Sequence, residues 1–204
     1  MNGRTLILVG SPKGVERSDL AGYARSVTGG FEHQGGTLDW IHLHHALAVE
    51  DSIDDLLARA DVGDLILLVA PLCADSLPAA VIAAFERIVE ARSHFAREVK
   101  APGFAVLIHR GFVKPVPNST AVDICRAFAD AAGFLRFGAV TLGGGGMLGR
   151  RIGRVLEQAR AALARGSPIS SALRRRAERP IMPSWVYILG GGTPCRGKSP
   201  GSRA

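Results

Sequence analysis

Residues 65–70 read Leu-Ile-Leu-Leu-Val-Ala, six apolar residues without a polar break. A strand with one wet face alternates apolar and polar side chains. A strand that is apolar throughout is buried on both faces, as in a parallel sheet held between two layers of helices. This run constrains the chain most, because the rest of the sequence has to supply the cover. Four more apolar runs of strand length occur, at residues 5–9, 38–43, 104–109 and 139–142. Helical patterns separate them at residues 19–31, 52–60, 78–95 and 120–132. A last one, at 148–164, brings Ile152, Val155, Leu156, Ala159 and Leu163 onto one face at steps of three and four.

Strict alternation of strand and helix implies right-handed crossovers and a parallel sheet covered on both faces. Five strands in this pattern predict an α/β three-layer sandwich with strand order 2-1-3-4-5. The 204 residues, 47% hydrophobic and 21% charged, suffice for one globular domain and an appendage. The three cysteines, Cys73, Cys125 and Cys195, are odd in number and scattered. That argues against a disulfide framework and fits a reducing, cytoplasmic setting. The N-terminus leads directly into a strand, and no apolar stretch reaches the roughly 18–20 residues that span a bilayer.

In such a sheet the ligand crevice lies beyond the carboxyl ends of the strands, where strand order reverses. Here that point falls between strands 1 and 3. The loop after strand 1 reads Gly10-Ser11-Pro12-Lys13-Gly14-Val15-Glu16-Arg17-Ser18 and leads into a helix at about Asp19. Unpaired N–H groups at a helix start, hydroxyls at Ser11 and Ser18 and a cation at Lys13 or Arg17 are the components of an anion site. Neither G-x-x-x-x-G-K-[ST] nor G-x-G-x-x-G is present, and Ser18 reads equally as a helix cap. The loop after strand 3 reads Pro71-Leu72-Cys73-Ala74-Asp75-Ser76-Leu77-Pro78. Asp75 or Ser76 can cap the helix that Pro78 opens.

With these residues in view, the chain resembles the flavodoxin-like NAD(P)H-dependent FMN reductases and quinone reductases. The resemblance rests on "GSPK" followed by Ser18, on "PLCADSLPAAVIAAFERI", on Arg110-Gly111-Phe112 and on "LGGGGMLG" at 142–149. It covers about residues 5–165 and implies a flavodoxin-like FMN-binding domain over 1–165. It further implies that Ser11, Lys13 and Ser18 hold the FMN phosphate. Pro71, Leu72, Cys73 and Ala74 would line the ribityl chain and ring, and Gly111 and Phe112 would close over the ring. The family usually has an aromatic residue, often tyrosine, where this chain has Cys73. A thiol is a much smaller partner for a flat ring. Phe112 or a residue of a second subunit would then cover the ring, or flavin would not be retained.

The implied activity is FMN-dependent NAD(P)H oxidation, with electrons passed to a quinone, a nitro or azo compound, or free flavin. The implied assembly is a homodimer. The alternative is a flavodoxin-like binding module that has lost flavin and recognises a nucleotide, a small anion or a protein partner. Neither reading assigns a catalytic side chain, since the cofactor carries the chemistry.

Residues 166–204 change character. They hold +6 of the formal +7 charge, an apolar segment at 180–189 and a glycine-, proline- and serine-rich end whose composition predicts disorder. The near-neutral remainder argues against specific nucleic-acid binding. The arginines ahead of the apolar segment read either as weak membrane-surface contacts or as charges left in water while the segment packs on the core or a second subunit. His42, His44 and His45 close strand 2 without the accompanying acids or thiols of a metal site. His109, at the end of strand 4, is the histidine placed to face the crevice.

Overall fold

The computed structural model describes residues 3–12, 19–73, 76–93, 101–110, 119–143 and 150–178. Five strands, β1 (Arg4–Val9), β2 (Thr37–His42), β3 (Leu65–Pro71), β4 (Gly103–Arg110) and β5 (Leu135–Gly143), form one sheet of order β2-β1-β3-β4-β5. Every pairing in it is parallel. This is the flavodoxin-like α/β sandwich expected from the alternation of runs.

The period-two geometry of the strands sorts the core into two layers. Leu6 and Leu8 of β1 and Ile66, Leu68 and Ala70 of β3 face one cluster with α3 (Glu50–Val62), α4 (Ala79–Ser93) and α5 (Ser119–Ala131). Ile7, Val9, Leu65, Leu67 and Val69 face the other, with α1 (Asp19–Thr28) and α6 (Arg150–Ala164). The all-apolar run is thus buried on both sides, every residue from Leu65 to Ala70 at 1% exposure or less. The apolar stripe read on the last helix, Ile152, Val155, Leu156, Ala159 and Leu163, is the buried face of α6.

Three local departures have physical causes. The second strand ends at His42, where its partner β1 ends at Val9, and Leu43 instead begins a single helical turn, α2 (Leu43–Ala46). The first helix stops at Thr28, ahead of Gly29 and Gly30, and Gly30 has a positive φ of 87°. The fifth strand starts at Leu135, four residues before its apolar run. Phe104 pairs with Arg136 and Ala105 with Gly138, so Phe137 is the extra residue of a β-bulge. Gly138 takes φ 94° there, a conformation that costs glycine little.

The bulge also anchors the segment beyond α6. The Phe137 carbonyl accepts the Ile169 N–H at 2.7 Å. The Ser170 hydroxyl then accepts the Leu173 N–H at 3.2 Å, an N-cap for α7 (Ser171–Glu178). Leu173 and Ala177 join the α1–α6 core layer. Only two apolar residues mark the buried face of this eight-residue helix, too few for the periodicity to show against its arginines.

Candidate functional site

β1 lies between β2 and β3, so the chain leaves β1 toward the α1 layer and leaves β3 toward the α4 layer. The two exits diverge and open a crevice at the carboxyl edge of the sheet. Its floor is tight. The Gly10 N–H donates to the Val69 carbonyl at 2.9 Å, extending the β1–β3 pairing one residue past the strand. A Cβ at Gly10 would lie 2.4 Å from Val81 Cγ2 on α4 and 3.1 Å from Ala70 Cβ. Only glycine lets α4 press this close to the strand ends. Ser11, 5% exposed, follows directly and Pro12 is exposed. Lys13 and Ser18 lie outside the described residues.

Pro71, half-buried, ends β3 opposite His109. The Leu72 N–H donates to the His109 carbonyl at 2.8 Å, tying the loop to β4 as Leu72 packs against the core. Cys73 and Ser76 then donate their N–H groups to each other's carbonyls, both at 2.8 Å, in an isolated antiparallel bridge. Cys73 itself is exposed. Ala74 lies outside the described residues. The Pro78 carbonyl accepts the Val81 and Ile82 N–H groups, so Pro78 immediately precedes α4.

At the end of β4, the half-buried His109 ring lies 5.3 Å from that of Tyr23 on α1, tilted by 43°. Tyr23 is only 2% exposed. It carries no signal of a site role in the sequence, because it falls in register with Leu20, Ala24 and Val27 on the buried face of α1. The pair links the helix behind the first loop to the strand that anchors the second. Gly111, Phe112 and residues 144–146 of the glycine run lie outside the described residues.

His42 sits opposite Val9, beside the first loop, with its ring 6.1 Å from that of His45. Burial, then the charges of His45 and His44, hold its pKa below the ordinary imidazole value. His44 and His45 are exposed, and no group of three or more His, Cys, Asp or Glu residues able to hold a metal occurs among the described residues.

Ser11, Pro71, Leu72 and Cys73 therefore share the carboxyl edge of two adjacent strands. Together they offer a hydroxyl beside a glycine cradle and, across from it, a short apolar wall. That donor set fits a phosphorylated ligand with a flat apolar moiety, FMN among them.

No family model matches the sequence, and no curated protein matches it. Solved structures do share its fold. An FMN-dependent NADH-azoreductase from Bacillus anthracis, in complex with FMN, superposes with a TM-score of 0.59 at 14% identity, over 79% of this chain and 99% of that one. An NAD(P)H:quinone oxidoreductase from Methanothermobacter marburgensis gives 0.58 at 16% identity, over 82% and 98%. An NADH:FMN oxidoreductase in its apo form gives 0.59 at 14% identity, over 84% and 94%. At such identities the likeness is one of fold.

Proposed function

We propose that this protein is an FMN-dependent NAD(P)H oxidoreductase that reduces a quinone, a nitro or azo compound, or free flavin. The observation that carries the reading is the reversal of strand order at β1, with Gly10-Ser11 and Pro71-Leu72-Cys73 brought to the same edge. The fold shared with FMN-dependent reductases supports it. Ser11, with Lys13 and Ser18, would hold the phosphate. Pro71, Leu72, Cys73 and Ala74 would flank the ribityl chain and ring, with Gly111 and Phe112 over it. Bound FMN would supply the redox chemistry, taking hydride from NADH or NADPH and passing electrons to the acceptor. The chain's own part is to bind and orient: the Leu72–His109 backbone bond fixes the height of the apolar wall over the strand ends.

Cys73 favours a second reading. It is exposed and offers no aromatic face, which suits a flavodoxin-like module that recognises a nucleotide, a small anion or a protein without flavin. Absorbance of the purified protein, before and after FMN is added and the excess removed by gel filtration, separates the two. The reductase reading expects near-stoichiometric flavin that is lost on Lys13→Ala and Ser11→Ala substitution, with NAD(P)H oxidation in the loaded wild type. No flavin retained on the column and none bound in a fluorescence titration would leave the binding module. Gel filtration with light scattering on the same sample tests the homodimer.

A further inference from the structure

Charge is unevenly placed along this chain. Residues 150–178 hold eight arginines and two acids, a formal +6, whereas residues 1–149 carry −3. The fold gathers part of this excess at the edge where the crevice opens. Ile169 is bonded to Phe137, and the Thr141 hydroxyl donates to Glu178 Oε1 at 3.3 Å. Contacts thus advance from Phe137 to Thr141 along β5 as they advance from Ile169 to Glu178 along the chain. The eight residues of α7 rise about 12 Å, and four strand residues about 13 Å, so α7 runs beside β5 toward its carboxyl end. α6 begins at that end, seven residues after Gly143 closes β5. Both helices belong to the layer of α1, the helix that follows the first loop.

Four exposed arginines mark these helix ends: Arg150 and Arg154, one turn apart on α6, and Arg175 and Arg176 in the last turn of α7. None has an ion pair among the described residues. Helix stability does not account for the first two. Arg150 stands at the positive end of α6, whose first turn has no acid, and Arg154 four residues on repels it. Guanidinium groups left without carboxylates suit a phosphate, which they hold through paired N–H donors. Their position narrows the ligand. β5 stands two strands beyond β3, about 10 Å from the crevice. An electron acceptor has to enter the crevice itself, so a charge on a compact acceptor would fall short of these arginines. A nicotinamide dinucleotide is long, with its hydride at one end and its adenosine at the other. NADPH differs from NADH only in a phosphate on the 2′-hydroxyl of that adenosine.

Resting on the reductase reading above, we infer that Arg150, Arg154, Arg175 and Arg176 bind the 2′-phosphate of NADPH and so make NADPH, rather than NADH, the preferred donor. The first test needs no flavin: calorimetric titration of the full chain with 2′,5′-ADP and with 5′-AMP. A charge-assisted hydrogen bond is worth about tenfold in affinity. With one such bond from each helix, 2′,5′-ADP should bind about 100-fold more tightly than 5′-AMP. Arg150→Gln with Arg154→Gln, and separately Arg175→Gln with Arg176→Gln, should each cut that advantage about tenfold. Arg150→Lys with Arg154→Lys should recover only part of it, because the charge returns without the paired donors. Circular dichroism of the variants should match wild type, because the side chains are exposed. In the FMN-loaded protein, kcat/KM should favour NADPH, and each glutamine pair should lower the NADPH-to-NADH ratio about tenfold. Equal affinity for the two adenosine nucleotides, or an advantage that survives both glutamine pairs, would overturn the inference. Retained FMN with equal use of NADPH and NADH would overturn it too and leave the reductase reading standing. Failure of that reading looks different: no flavin is retained and neither dinucleotide is oxidised, and the titration alone then upholds or overturns the arginine site.

Discussion

Replacing Gly10 with alanine tests whether the crevice floor is as tight as the strand ends make it. The new methyl would stand 2.4 Å from Val81 Cγ2, where carbon atoms settle at about 3.5–4.0 Å. Retreat is blocked on both sides. Ala70 Cβ waits at 3.1 Å, and Val81 is fully buried on α4 beside Ala84 and Phe85. A valine in a helix has one strongly preferred rotamer, so swinging Cγ2 aside is itself costly. Overpacking of this kind costs about 1–3 kcal/mol. With no flexible chain end to give way, we expect about 2 kcal/mol, a fall in Tm of about 4–8 °C for a chain of this size. Urea unfolding followed by circular dichroism measures it. Val81→Ala alone opens a void, but in the Gly10→Ala background the incoming methyl fills that space. The double variant should then be more stable than the sum of the singles by about 1 kcal/mol or more. A Gly10→Ala protein within about 0.5 kcal/mol of wild type, or an additive cycle, would refute the reasoning.

Other perturbations read other parts of the fold. Arg92 joins α4 to two neighbours: it pairs with Asp61, its Nε donates to the Ala132 carbonyl at 2.7 Å, and its guanidinium lies 4.7 Å from the Phe134 ring centroid. Arg92→Ala should cost about 2–3 kcal/mol in urea unfolding, and Arg92→Lys should recover less than half, since one ammonium cannot serve all three partners. Burial pushes the Cys125 thiol up to about 12. In the native protein near neutral pH, alkylation read by peptide mass spectrometry should mark the exposed Cys73 and spare Cys125, and native labelling of Cys125 would contradict its burial. His42 is held below its ordinary value of 6.5, so the folded state binds this proton less readily than the unfolded chain. Its stabilising contribution is present above 6.5 and is lost as pH falls below it. A melting series in acid should show the loss in wild type and a shallower loss in His42→Asn; an unchanged slope would place the acid sensitivity elsewhere.

The sequence alone determined the sheet and its cover, because the signals involved are local. An all-apolar run such as 65–70 has no stable place except between two helical layers, and the stripe on 150–164 could face only inward. Strand order, read from the same alternation, also brought the loops after β1 and β3 to one edge, where sheets of this kind open a crevice. Gly10, in contrast, was one glycine among 25 until α4 was in place. Its importance comes from Val81, 71 positions later, and sequence spacing carries no trace of that contact. Tyr23 likewise reads as core, and only the packing of α1 sets its ring against His109. The early start of β5 was hidden because the bulge at Phe137 breaks the alternation that marks a strand. α7 was hidden because an eight-residue helix with two buried residues acquires its definition from the strand edge it packs on. Local pattern determines which elements form. Which side chains from distant segments meet is decided by close packing, and the floor of the crevice belongs to that second class.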